Sequence, residues 1–383
     1  MVNLRLPEYT PDQFVNREKE VERVVQKIRA LTEGKPLEKR TIVFFGERGV
    51  GKSWLLDHLQ ATLPSQFRNL LVLRLDLREY EGKDPVWAVA DMIRRISLET
   101  GGPGERLGPD LATRSRRLME HLQGVLQESI LLLLADHVHE ASWNLLPVLE
   151  DHLLGPLATE SRVLIVMTGR GRLYPWKTPE LRLKAEFKEL EPFKQPEETR
   201  LQLERQARQA LPKAQEIHKL SHGNPLANFL LGALGPQEGL DRVIEAILEP
   251  VPAEQRRRVR EYLEALCVLN AFDEDRIPDM LATYYNDDSY RQWAYAQARQ
   301  VREELVRWAF ARWNADAGGY VLDPVVRSLV EEYMKKTQLE KWRALQRAAW
   351  DLYTRWAKEF TRTRERWEKE ATYHRCSLQP ASA

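Results

Sequence analysis

GERGVGKS, residues 46–53, decides how the rest of the chain is read. It fits G-x-x-x-x-G-K-[ST], with an apolar run, TIVFF (41–45), before it and a helix-like stretch, SWLLDHLQATL (53–63), after it. Gly46, Gly49 and Gly51 let the backbone bend so that successive N–H groups point inward. The helix start adds partial positive charge, so the stretch suits a phosphate. Lys52 is placed to reach the β- and γ-phosphates as a catalytic cation, and Ser53 to ligate magnesium. The expected cofactor-binding run is Gly46, Glu47, Arg48, Gly49, Val50, Gly51, Lys52, Ser53 and Trp54.

Further apolar runs follow: LLVLRLDL (70–77), ILLLLAD (130–136), RVLIVMTGR (162–170) and FKELEPF (187–193). Near-continuous apolar strands alternating with helical stretches predict an α/β fold, a parallel sheet covered on both faces. A phosphate site of this kind needs a magnesium-side acid at the end of a nearby strand. Asp136 closes ILLLLAD and is the candidate metal ligand and catalytic acid; its competing role is a helix N-cap. Arg170, at the end of MTGR, offers a fork of donors that suits phosphate oxygens. Thr168 brings a hydroxyl to the same strand end.

After Pro192 the strands stop. Helical patterns continue through SHGNPLA, where Pro225 suits the first turn of a helix. Near WNADAGGYVLDPVV a short hairpin is expected, with Asp316 to Gly319 as its turn. Three helices plus a hairpin outline a winged helix. In the tail, Trp342, Leu345, Ala349, Leu352, Trp356 and Phe360 form one helical stripe. Seven of the 11 tryptophans fall between Trp293 and Trp367, and a packed core is the favoured reading for them.

The 383 residues are 43% hydrophobic, and the net charge is +1, which argues against bulk electrostatic capture of nucleic acid. Two distant cysteines, Cys267 and Cys376, fit a reduced, cytoplasmic setting. No basic-then-apolar leader opens the chain, and no apolar run approaches the ~20 residues of a membrane helix.

Together these motifs resemble the STAND class of signal-transduction ATPases, AAA+-like P-loop proteins related to NACHT and NB-ARC regulators. The resemblance spans about residues 13–335. QFVNREKEVERVV is similar to an F-x-G-R-E opening, with Asn16 in the glycine's place. It implies that Phe14 and Val15 lie against the adenine and that Arg17 belongs to the cofactor site. LLLLAD resembles Walker B, MTGR sensor 1, and SHGNPLA the G-x-P motif in which Pro225 packs on the base. GGYVLDPVVRSLV resembles the end of the winged helix, with Asp323 where relatives carry histidine.

The implied architecture is an ASCE/AAA+-like parallel-sheet P-loop domain (1–193), a helical lid (194–238), a winged-helix-like domain (239–337) and a short helical tail (338–383). The implied function is an ATP/ADP switch with Mg²⁺. Relatives carry two acids in Walker B. Here the first aligns with Ala135, so weak or absent hydrolysis is expected, with Glu140 four residues past Asp136 as a possible contributor. Only about a dozen residues precede FVNRE, so effector or sensor is expected on a partner protein, with nucleotide-dependent self-association an open option.

Two other readings compete. Arg256, Arg257, Arg258 and Arg260 could make a nucleotide-regulated DNA-binding face, although Glu254, Glu261 and Glu264 balance them, so DNA is the disfavoured partner. A non-hydrolysing, ADP-bound scaffold docking through the tryptophan-rich tail is the other. His137 and His139 alternate at a strand end, with Glu140 after them, but no other ligand cluster stands near in sequence, so a metal on the histidines is disfavoured.

Overall fold

The computed structural model describes residues 9–138, 141–170, 174–207, 213–235 and 238–378. The chain divides into two compact units, at Glu191 and Pro192.

In the first unit the elements run α1 (Glu18–Thr32), β1 (Thr41–Phe45), α2 (Lys52–Gln66), β2 (Leu70–Asp76), α3 (Pro85–Glu99), α4 (Leu111–Val125), β3 (Ile130–Asp136), α5 (Leu145–Leu149), a π-turn (Glu150–Leu154), α6 (Gly155–Thr159), β4 (Val163–Gly169), α7 (Pro179–Arg182) and β5 (Ala185–Glu189). All five strands are parallel, in the order β2-β3-β4-β1-β5. Alternation within the buried strands sorts the core into two layers. Ile42, Phe44, Leu132, Leu134 and Val166 pack with α1 and α2. Val43, Leu131, Leu133, Ala135 and Met167 pack with α3 to α6 on the opposite face. β3 and β4 are buried along their whole length, which is why they read as unbroken apolar runs.

One strand differs from expectation. FKELEPF predicts an element over 187–193, but β5 spans Ala185–Glu189. Leu190 still donates its N–H to Phe45 O at 2.7 Å, and Leu190 and Phe193 are buried. Their apolar character belongs to the packing beyond the strand. Pro192 has no N–H to continue a ladder.

The second unit is almost wholly helical: α8 (Pro196–Ala207), α9 (Ala214–Ser221), α10 (Pro225–Leu234), α11 (Glu238–Leu248), α12 (Ala253–Leu266), α13 (Ile277–Tyr285), α14 (Tyr295–Arg307), the hairpin β6 (Ala311–Asn314) and β7 (Gly319–Leu322), α15 (Pro324–Thr337), α16 (Leu339–Glu359) and α17 (Arg364–Leu378). Trp342, Leu345, Ala349 and Leu352 of the tail stripe are buried, whereas Phe360, just past α16, is 52% exposed. Arg276, 2% exposed, lies against the rings of Tyr353, Trp356 and Trp367 at 5.8, 4.9 and 5.2 Å. These tail aromatics enclose a buried cation, and Tyr353 and Trp367 are themselves buried.

Candidate functional site

The GERGVGKS turn joins β1 to α2. Gly46, Gly49 and Gly51 take φ of 155°, 83° and 96°, in the region that favours glycine. A Cβ on Gly46 would stand 2.5 Å from Leu190 O, so only glycine fits there. Lys52, 8% exposed, donates from Nζ to Gly46 O at 2.8 Å and Glu47 O at 2.7 Å. Its ammonium is thus held inside the turn. Val50 is fully buried in the core, so only its backbone faces the turn.

The FVNRE segment is tied to this turn. Arg17 Nη2 donates to Val50 O and to Glu191 O, both at 2.8 Å. Asn16 has φ 53°, a left-handed conformation that asparagine tolerates better than most side chains. Val15 is buried. Phe14 stacks on His58 of α2 with centroids 4.0 Å apart. Tyr9 OH meets His58 Nδ1 at 2.8 Å, and its ring is 5.7 Å from that of Trp54. Burial pushes the Tyr9 hydroxyl up to about 12, with Asp57 adding to the shift, and burial lowers His58. Tyr9 and His58 were not foreseen from the sequence. They join Phe14 and Trp54 in one aromatic group, and the i, i+4 spacing of Trp54 and His58 on α2 is the signal that could have found them.

At the carboxyl ends of the neighbouring strands lies a line of charged groups. Asp136 is fully buried. Its Oδ1 accepts from the Thr168 hydroxyl and, at 3.0 Å, from the His137 N–H; its Oδ2 accepts from Arg74 Nη2 at 2.8 Å. Arg74 also pairs with Asp57 of α2. Thr168, whose hydroxyl the sequence places at this strand end, is buried next to the carboxyl end of β4 and donates to Asp136. Asp136 is not alone, either. β2 and β3 run in register with Asp76 opposite Asp136. His137 Nδ1 lies 3.1 Å from Asp76 Oδ1 and 3.3 Å from Asp136 Oδ1. Burial raises the Asp76 carboxyl, but hydrogen bonds from His137 and Arg78 outweigh it and hold Asp76 well below the usual carboxylate range.

Asp76, Arg74 and Asp57 were also missed. Asp76 ends β2 as Asp136 ends β3, but Leu77 follows it and carried the apolar run LLVLRLDL past the strand end. Ala135 faces the other layer and is buried in it, so no acid could occupy that side chain's position without entering the core. Arg170 is the first residue past β4 and is partly buried. His139 and Glu140 lie outside the described residues.

The oxygen donors here fit magnesium, a hard cation. Ser53 lies in the first turn of α2, and Asp57, one turn further along that helix, pairs with Arg74 of β2, two residues before Asp76.

Pro225 lies in the second unit, at the first turn of α10. Asn224 caps that helix by accepting from Leu226 N and Ala227 N at 3.1 and 3.2 Å. On α12, each of the four arginines is engaged. Arg256 donates to the carbonyls of Val251 and Glu249, Arg257 pairs with Glu261, Arg258 with Glu304, and Arg260 with Glu264 and Asp241.

Residues 13–166 match a family described as the AAA ATPase domain. This part of the chain is an AAA ATPase P-loop domain. Nucleotide binding, with magnesium as its usual companion, follows from that assignment. No curated protein matches the chain. Among solved structures it is similar to the Aeropyrum pernix ORC2 protein in ADPNP–ADP complexes (14% identity, 87% of this chain and 97% of that one, TM-score 0.41). It is also similar to Cdc6p from Pyrobaculum aerophilum (12%, 87% and 97%, 0.45) and to the Thermotoga maritima RuvB Holliday junction branch migration motor (13%, 87% and 98%, 0.38).

Proposed function

We propose that the chain is an ATP/ADP-binding switch of the STAND type, with slow Mg²⁺-dependent hydrolysis, acting in signalling or defence with effector or sensor supplied by another protein. The observation that carries the nucleotide part is the cradle itself: the AAA ATPase turn, its buried Lys52, and Arg17 fastening the FVNRE segment to Val50. The STAND part is supported by the order of FVNRE, GERGVGKS, LLLLAD, MTGR and SHGNPLA, and by the left-handed Asn16 where relatives carry glycine. In this reading residues 1–193 bind nucleotide, 194–238 form a lid carrying Pro225 to the base, 239–337 form the winged-helix-like part and 338–383 the tail. The paired arginines of α12 favour a solvated helix face over a DNA-binding one.

The reaction needs few groups. Backbone N–H groups of the turn and the Lys52 ammonium hold the phosphates. Magnesium, when bound, neutralises charge on the β- and γ-phosphate oxygens. Ser53 and Asp136 are the residues to hold it. The oxygen of a water bonds to the γ-phosphorus as the bond from that phosphorus to the β–γ bridging oxygen breaks. ADP leaves with that oxygen, and the water's proton is lost to phosphate or solvent. Lys52 and Arg170 stabilise the charge that develops.

The test is mass analysis of nucleotide released from purified protein, followed by ATP turnover with and without Mg²⁺. Wild-type chain is expected to carry ADP or ATP and to turn ATP over slowly. Lys52→Ala is expected to lose turnover by roughly a hundredfold or more. A wild-type chain that neither carries nor takes up ADP or ATP ends this reading.

A further inference from the structure

We propose that Asp76, from β2, is the second carboxylate of the magnesium edge, sharing the metal-side work with Asp136. The inference rests on the nucleotide reading above and adds to it a residue outside the Walker B strand.

A hydrolytic phosphate site needs an anchor for the metal and a group that orders the water around it. Asp136 is poorly placed for the second task. It has no exposed surface, and its two oxygens already accept from Thr168, the His137 N–H and Arg74. Asp76 has a different setting. Its side chain is 19% exposed, so water reaches it. It lies directly across from Asp136 on an adjacent parallel strand, on the same face of the sheet. Through the Arg74–Asp57 contact that face is tied to α2, which carries Ser53 in its first turn.

His137 joins the two acids. It adopts φ 58°, and its Nδ1 lies close to a carboxylate oxygen of each. One ligand atom from each of Asp76, Asp136 and His137 falls within 4.8 Å of the others. Asp76 is oriented besides by Arg78, whose backbone N–H it accepts at 3.0 Å and whose guanidinium donates to it at 2.8 Å. A carboxylate fixed from two sides keeps its geometry without help from a metal. Held so, Asp76 accepts hydrogen bonds from water on the metal and holds that water in place.

The experiment uses the full chain with ADP and Mn²⁺ as a paramagnetic stand-in for magnesium, read by electron paramagnetic resonance of free Mn²⁺. Asp76→Asn keeps size and the acceptor oxygen while removing the charge. It is expected to weaken Mn²⁺ binding to the protein–ADP complex by roughly tenfold or more. ADP affinity in EDTA is expected to stay at the wild-type value, and Asp76→Glu to recover most of the loss. Unchanged Mn²⁺ affinity in Asp76→Asn, in a wild type that does bind ADP–Mn²⁺, overturns this proposal alone. So does a loss of ADP affinity in EDTA equal to the loss with metal, which marks Asp76 as structural. A wild type that binds no ADP overturns the nucleotide reading and this proposal with it.

Discussion

Arg74 lies between two carboxylates from different elements, Asp57 of α2 and Asp136 of β3, and its side chain is 17% exposed. A buried ion pair is poor evidence for stability, because desolvation offsets the attraction. Breaking one is another matter, since the surviving charge stays buried. Arg74→Leu strands the fully buried Asp136 and is expected to cost about 3–5 kcal/mol in urea unfolding. The double variant Arg74→Leu, Asp136→Asn removes that stranded charge and is expected to recover a good part of the loss. Additive losses in this cycle would show that the pair does not couple. Asp136 was legible in the sequence because an unbroken apolar run ended on it. Asp76 ends β2, but Leu77 after it made the run LLVLRLDL look as if it continued past the acid. That Asp76 and Asp136 meet depends on strand order and register, which no local pattern encodes.

At the scale of elements, the first three helices of the second unit are locked by a polar network. Asn228 donates to Thr199 Oγ1 at 3.1 Å and to Gln202 Oε1 at 3.0 Å, and accepts from Ser221. Thr199 in turn meets His218 Nδ1 at 2.7 Å, and Gln202 donates to Pro225 O at 2.7 Å. Asn228, Thr199, Ser221 and Gln202 are all buried. Asn228→Ala deprives three buried groups of a partner at once and is expected to destabilise by about 1–3 kcal/mol, with a lower denaturant midpoint and an unchanged slope. An unshifted midpoint would mean that water replaces the amide. The start of α10 at Pro225 was readable, because proline at the first helical turn is a local preference. So was the β6–β7 hairpin, from its turn residues. The network was not, since Thr199, Gln202, Ser221 and Asn228 look like surface residues until three helices converge. β5 was displaced for the converse reason: Leu190 and Phe193 advertise burial without belonging to the strand.

At the scale of the two units, the first is expected to respond to nucleotide, and the second carries a deeply buried histidine that makes its stability depend on pH. The sensitive group in the second is His374 of α17. It is fully buried, with Nδ1 2.6 Å from Gln346 Oε1 and its ring stacked on Tyr353 at 5.5 Å. Burial, reinforced by the nearby positive Arg327, pushes its pKa down from 6.5 to about 4. Unfolded chain therefore takes up a proton near pH 6.5 that the folded unit refuses until about pH 4. Stability is full above the first value, falls as pH drops between the two, and levels off below the second. At about 1.4 kcal/mol per pH unit the loss comes to roughly 3–4 kcal/mol. Urea unfolding followed by tryptophan fluorescence should register this, because Trp342, Trp356 and Trp367 all lie in α16 and α17. His374→Asn cannot bind that proton and is expected to flatten the pH dependence between 6.5 and 4, though its baseline stability is lower. Equal slopes in wild type and variant would remove His374 as the cause and shift attention to His218 and His222 of the same unit, which burial also lowers. Ordinary carboxylates lose their charge mostly below pH ~5. Burial also lowers His58, His218 and His222, so the mark of His374 is the part of the slope between pH 6.5 and 5 that His374→Asn removes.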